Sequence, residues 1–226
     1  MFVPYVGISM SRGCRVSVAL PTIRRLPMYF AILQRAAAEG QNHISSAEIA
    51  ATLRLESIQV RKDLAAVGVA GQPRLGFPIA ELIRAIEVFL GWDNTTDAFI
   101  VGAGHLGTAL AGYRGFAERG LNVVALFDND VSKIGRKVHG KVVFGLEKFA
   151  DLTERLGVHI AILTVPEEQA NSAAALAVEA GIQAIWNFTA TKLIVPEHVV
   201  VERVDLAASL AVLSSRVVAQ RRRLQG

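Results

Sequence analysis

The sequence predicts an α/β chain in two parts: a small helical segment, then a mostly parallel, doubly wound sheet, with one further helix at the end. Three observations carry that expectation. Short amphipathic helical patterns crowd residues 26–90, a glycine-rich loop stands between an apolar strand and a helix at 98–113, and strand and helix patterns alternate from there to 205. The 226 residues are 52% hydrophobic and 19% charged, which is ample material for packed cores.

Charge is spread unevenly. Residues 1–91 carry ten Lys/Arg and six Asp/Glu, residues 92–205 carry ten and fourteen, and the last 21 residues carry four Arg and no acid. A basic front ahead of an acidic middle fits a nucleic-acid module joined to something else. Cys14 is the only cysteine, so disulfide frameworks and Cys-based zinc sites within one chain are excluded, which suits a reducing cytoplasm. No metal site and no membrane partner are expected, since no apolar run reaches the roughly 18 residues of a bilayer span. Arg12 and Arg15 interrupt the place where a signal peptide would have its apolar core. Residues 1–20 are therefore expected to be a poorly ordered leader, or Met1 to be an upstream start codon with true translation from Met10.

In the first part, residues 26–38 read as a helix with Leu26, Tyr29, Phe30 and Leu33 on one face and Pro27 in its first turn. Ser45 and Glu48 form a capping box that opens a short helix over 46–53, with Ile49 and Leu53 inward. Ser57 is expected to cap a third helix over 58–67, stopped by Gly68, with Ile58, Leu64 and Val67 packing and Gln59, Arg61 and Lys62 projecting. Residues 71–77, GQPRLGF, make a turn-rich basic strip, and 79–90 form a further amphipathic helix ending at Gly91. That order is a winged helix-turn-helix arrangement over 21–91. It makes Ser46, Ser57, Gln59, Arg61, Lys62 and, on the wing, Arg74 the candidates for DNA contact, with Asp63 placed to orient Arg61.

The second part, residues 92–205, opens on the strand 98–101 and Gly102-Ala103-Gly104-His105-Leu106-Gly107, followed by a helix. The first glycine permits a tight turn, the second lets backbone approach a pyrophosphate, and the third lets helix and strand pack closely. The next strand, 123–128, ends at Asp128, where a carboxylate would accept hydrogen bonds from a ribose and favour NAD(H) over NADP(H). Lys133 and Arg136 follow closely enough to soften that preference, and Lys133 is expected to join the site. Strands at 142–145, 159–166, 182–188 and 198–205, with helices at 146–157 and 167–181, complete a Rossmann-type domain. Ligands in such sheets lie at the strands' carboxyl ends, so Thr164, Val165, Pro166, Asn187 and Phe188 are candidates for the nicotinamide side. Residues 206–226 form an apolar helix with Leu206, Leu210, Leu213 and Val217 in one stripe. It needs a partner surface, either its own domain or a second subunit.

With RRLPMYF, SSAEIA, VRKDL, VGAGHLGTAL, FDNDVSKIGRKVHG, AILTVP, WNFT and VPEHVVVERVDLA in place, residues 21–213 resemble the redox-sensing transcriptional repressor family Rex. The resemblance implies a homodimer on a palindromic operator, a terminal helix swapped against the partner subunit, and release of DNA on binding NADH. It also implies switching roles near the nicotinamide for Tyr113 and Asp205. Read from the residues alone, Tyr113 is a packing residue in the first helix after the glycine loop, and Asp205 is a cap on the terminal helix. The chain departs from the family pattern where Ala31 replaces an arginine that pairs with the aspartate, where Leu206 replaces a phenylalanine, at Ala65-Ala66-Val67-Gly68, and at Pro73-Arg74 of the wing.

Two rivals stand beside this reading. A dehydrogenase would need a general acid or base facing the nicotinamide. His105 lies in the glycine loop, His139, His159 and His198 on loops or strand starts, and His43 in the first part, so no enzyme is expected. The other rival is a nucleotide-sensing or CoA-binding module with weak or altered DNA binding.

Overall fold

A computed structural model describes residues 5–9 and 15–225. The chain separates into two compact units, Met1–Asn94 and Thr95–Gly226. The first contains an antiparallel pair, β1 (Tyr5–Ser9) and β2 (Arg15–Ala19), so the stretch expected as an unordered leader holds two strands. The alternative start at Met10 lies outside the described residues. Helix α1 (Leu20–Ala38) begins earlier than the expected Leu26: Pro21 takes the first turn and Pro27 lies inside the helix. An interior proline leaves the carbonyl four residues back without its helical donor. Burial of Leu26, Tyr29, Phe30 and Leu33 against the unit's core offsets that loss.

Strand β3 (His43–Ile44) leads into α2 (Ser46–Leu53), whose capping box is formed as expected: Ser45 Oγ accepts from Glu48 N at 3.1 Å, and Glu48 Oε2 from Ser45 N at 2.7 Å. Helix α3 (Ser57–Ala66) has Glu56 at its N-cap position, with no side-chain hydrogen bond there, so Ser57 is its first residue rather than its cap. The following loop closes with Gln72 N donating to Gly76 O at 2.7 Å. Gly76 has φ +87°, and a Cβ there would meet the Ile44 carbonyl oxygen at 2.5 Å, so only glycine lets the wing lie this close to β3. Strand β4 (Phe77–Pro78) pairs antiparallel with β3, and α4 (Ile79–Leu90) ends at Gly91 in the left-handed region.

The second unit runs β5 (Thr96–Val101), α5 (His105–Ala111), α6 (Arg114–Ala117), β6 (Leu121–Asp128), β7 (Lys137–Val138), β8 (Lys141–Gly145), α7 (Phe149–Leu156), β9 (Ile160–Leu163), α8 (Ala170–Glu179), β10 (Ala184–Asn187), β11 (Val200–Arg203) and α9 (Leu206–Gln225). Its sheet has the order β11-β10-β9-β5-β6-β8-β7, parallel except for the β7–β8 edge hairpin. Phe99, Phe127 and Phe149 meet edge to face at 4.8–5.6 Å between ring centres in its core. Strand β9 stops at Leu163, short of the expected 166, and this leaves Thr164–Pro166 as a loop at the carboxyl edge. Leu206, Leu210, Leu213 and Val217 of α9 are 41–62% exposed, so the terminal helix finds no cover on its own domain.

One contact organises the helical unit. Asp63 on α3 is 1% exposed and accepts hydrogen bonds from four side chains. Thr22 Oγ1 donates to Oδ1 at 2.9 Å, Tyr29 Oη to Oδ2 at 2.6 Å and Gln59 Nε2 to Oδ1 at 2.9 Å. Arg25 grips both oxygens, Nε at 2.6 Å and Nη2 at 2.9 Å. Burial opposes the charge on Asp63, but the donors from Arg25, Tyr29, Thr22 and Gln59 outweigh it and hold the carboxyl below the usual carboxylate range. Burial, reinforced by the hydrogen bond to Asp63, pushes the Tyr29 hydroxyl up. Because the folded-state pKa is depressed, the stabilisation is fully present above the unfolded value near pH ~4 and is lost as pH falls through the folded value.

Asp63→Asn should therefore destabilise this unit by roughly 3–5 kcal/mol at neutral pH, the cost of leaving Arg25 unmatched in a buried pair. It should also make the acid limb below pH ~4 shallower. Urea unfolding in a Trp186→Phe background reads this through Trp92, which packs edge-on against Phe30 at 5.3 Å. An unchanged midpoint with an unchanged acid limb would contradict the role given to Asp63.

Candidate nucleotide site and nucleic-acid interface

Strand β5 has β6 on one side and β9 on the other, so the chain's winding reverses there and a crevice opens beyond the strands' carboxyl ends. A cleft of about 700 Å³ occupies it, within the usual range for small-molecule sites. Gly102, Gly104, Asp128, Lys133, Thr164, Val165 and Pro166 line it, seven of the residues expected from the sequence. Gly102 leaves β5 at φ +104°, and a Cβ there would meet Thr164 backbone at 2.8 Å. A Cβ on Gly107 would fall on the Gly102 carbonyl oxygen, so α5 can lie this close to the loop only with glycine. Thr164 Oγ1 secures the approach by donating to Gly102 O at 2.8 Å. Around Gly104 a Cβ would meet nothing within 4 Å, which leaves its backbone open to a ligand.

Asp128 ends β6 and is 7% exposed. Its Oδ2 accepts from Ala103 N at 2.8 Å and Lys133 Nζ at 2.9 Å, and its Oδ1 from Asp130 N at 2.9 Å. Burial works against its charge, but the Asp130 amide, Lys133 and the Ala103 amide outweigh that and hold the carboxyl below its ordinary range. The hydrogen bond to Asp128 raises Lys133 in turn. Open backbone at Gly104, a close fit at Gly102 and Gly107, and an ionised carboxylate on the same cleft match the pyrophosphate and ribose of a dinucleotide.

Other expected residues fall elsewhere. Ala103 is a buried residue of the loop, while His105 and Leu106 are exposed at the start of α5, and none of the three lines the cleft. Asn187 is 1% exposed and occupied with its own loop, accepting from Thr189 N and Oγ1 and donating to Thr191 O. Phe188 leans on Trp186 at 5.1 Å. Neither reaches the cleft, because β10 lies on the far side of β9 from β5. Asn129, Gln169, Ser172 and Ala173 line it instead. Asn129 could have been found as the neighbour of Asp128; the α8 residues had no local signal beyond an alanine-rich helix.

Tyr113 is not in the first helix after the glycine loop, which ends at Ala111. It precedes α6 without a capping hydrogen bond, is 56% exposed, and meets Phe116 edge-on at 5.0 Å. Asp205 caps α9 by accepting from Ala208 N at 2.8 Å, and it takes a second bond from Arg203 Nη2 at 2.8 Å.

In the first unit, Ser46, Arg61 and Arg74 come together around a groove of about 690 Å³ between α2, α3 and the wing. Arg74 sits in the left-handed region at φ +65°. Lys62 is exposed beside Arg61, whereas Ser57 is half-buried and lies off the groove. Gln59 is half-buried and turned toward Asp63. Asp63 does not orient Arg61, because residues two apart on a helix face opposite sides. The inward face of α3 is Val60, Asp63 and Leu64; Ile58, expected to pack, is 57% exposed. Among the described residues no cluster of His, Cys, Asp and Glu is arranged for a metal, and no helix is long and apolar enough to cross a membrane.

Residues 17–65 match the family model "Putative DNA-binding protein N-terminus", and residues 93–191 match the CoA binding domain model. The redox-sensing transcriptional repressor Rex of Treponema denticola is 48% identical over 195 residues, covering 86% of this chain and 93% of that protein. Its counterpart from Carboxydothermus hydrogenoformans is 41% identical, covering 87% and 94%. Among solved structures, RSP, a Rex-family repressor, matches with a TM-score of 0.85 at 34% identity, covering 93% of this chain and all of that one. RSP in complex with beta-NAD+ and operator DNA matches with a TM-score of 0.85 at 35% identity, covering 93% and 98%. RSP in complex with beta-NADH matches with a TM-score of 0.83 at 33% identity, covering 92% and 98%. These relatives share both units and are named as repressors rather than dehydrogenases, and the chain belongs to the Rex family of redox-sensing transcriptional repressors.

Proposed function

We propose that the chain is a homodimeric transcriptional repressor of the cytoplasm that holds a palindromic operator through its winged helix and releases it when NADH binds. The observation that carries this reading is the pairing, in one chain, of a groove bearing Arg61 and Arg74 with a cleft built from Gly102, Gly104, Gly107 and Asp128. RSP has been solved with beta-NAD+ and operator DNA, and with beta-NADH.

Each residue has a physical task. Arg61 and Lys62 supply contacts to phosphates or base edges in a major groove, and Arg74 reaches from the wing. The Gly104 backbone and the start of α5 receive the pyrophosphate, with Ala103, His105, Leu106 and Gly107 shaping that turn. Asp128 accepts from the ribose, and its charge disfavours a 2′-phosphate. Lys133 does not reverse that preference, because its ammonium is already engaged by Asp128 at 2.9 Å. Thr164, Val165 and Pro166 form the wall toward the nicotinamide, whose ring carries a positive charge only when oxidised.

A ligand shifts DNA affinity only by preferring one conformation of the dimer. The uncovered stripe of α9 supports a second copy as its cover, as does β11, all of whose residues are exposed. Tyr113 and Asp205 take the switching roles. Asp205 pairs with Arg203 at 2.8 Å in this chain, and Ala31 offers no charge where the family pattern has an arginine.

Titrating a palindromic operator complex should separate the nucleotides: NADH dissociates it and NAD+ leaves it intact. A complex indifferent to NADH would refute the reading. Asp128→Ala should weaken NADH binding roughly ten- to a hundredfold, as expected for losing a charged hydrogen-bond partner. The operator affinity of nucleotide-free protein should stay unchanged. Calorimetry and a shift assay measure the two, and undiminished NADH affinity would remove Asp128 from the site.

A further inference from the structure

We propose that Ile58 reads thymine in duplex DNA, its side chain meeting the C5-methyl group on the major-groove edge; this rests on the DNA-binding reading of the winged helix. Ile58 lies in the first turn of α3 and is 57% exposed, although its apolar neighbours Val60 and Leu64 are fully buried. Arg61, Lys62 and Ala65 stand three, four and seven residues further on, and all are exposed. On a helix that spacing is one stripe. The outward stripe of α3 is therefore an isoleucine, two cations and an alanine, while Gln59 is drawn back to Asp63 at 2.9 Å.

The chemistry of the stripe selects its occupant. An apolar protein partner would have to desolvate Arg61 and Lys62, whereas duplex DNA offers phosphates and acceptor edges to both. Of the stripe, Arg61 and Ala65 also line the groove to which the wing brings Arg74. In the major groove of DNA the one apolar group on a standard base edge is the thymine methyl, and aliphatic side chains are suited to contact it. Placing Ile58 there removes apolar surface from water on both sides.

The test replaces thymine by deoxyuridine, which deletes the methyl and nothing else. The wild-type chain first selects its tightest palindromic duplex from a random pool, and each thymine of a half-site is then replaced in turn. At one thymine the loss expected is about three- to fivefold per half-site, the worth of one buried methyl. Ile58→Ala should bind the thymine and uracil duplexes alike at that position, and Ile58→Val should keep part of the preference. A wild-type chain indifferent to every substitution would overturn the proposal, and so would Ile58→Ala retaining full discrimination at every thymine. The wild-type series needs no variant to fold. If no duplex is selected at all, the DNA-binding reading itself fails, and the proposal with it.

Discussion

A carboxylate with almost no access to water is stable as an anion only if the protein replaces its whole hydration shell, and Asp63 is in that position. Its shell is supplied by Thr22, Arg25 and Tyr29 from α1 and by Gln59 from its own helix. The bidentate Arg25 fork and two hydroxyls fix distance and direction together, which apolar packing alone does not. Helix α3 can rotate or slide against α1 only by stranding a buried charge. The consequence reaches the surface: with Asp63, Val60 and Leu64 held inward, Arg61, Lys62 and Ile58 are presented as a fixed outward stripe.

The second unit solves a different problem, bringing backbone close to backbone. Gly102 and Gly107 leave no room for a Cβ, and Thr164 ties the loop to the strand on the other side of the crevice. Asp128 adds a buried carboxylate whose donors include the Ala103 amide, so the residue we assign to the ribose also holds the loop we assign to the phosphates. Cleft shape and cleft charge are thereby coupled. Terminal helix α9 is the exception to this economy, with an apolar stripe that its own chain leaves in solvent.

What could be read from the sequence was what short-range chemistry dictates. The capping box of α2, the glycine stop of α4 and the strand–GxGxxG–helix–strand–Asp128 order each depend on residues close in the chain. The Asp63 cluster escaped because its partners lie 34–41 residues away, apart from Gln59. The one local hint was an acid on the same face as Val60 and Leu64. Apolar character alone does not show that Ile58 points outward, because only the helix period, which puts Val60 and Leu64 on the buried side, distinguishes the two faces. Asn187 and Phe188 end a strand at the correct edge of the sheet, but strand order, which the sequence does not state, puts them beyond β9. The early start of α1 was hidden by Pro27, a residue that ordinarily opens helices.

The central claim is that two sites in one chain are energetically coupled, and coupling between binding sites is reciprocal. The most direct measurement is the NADH affinity of the protein free and saturated with its operator duplex. NADH should bind the DNA-bound protein more weakly, by the same factor by which NADH weakens operator binding. Equal NADH affinity in the presence and absence of operator would contradict the account.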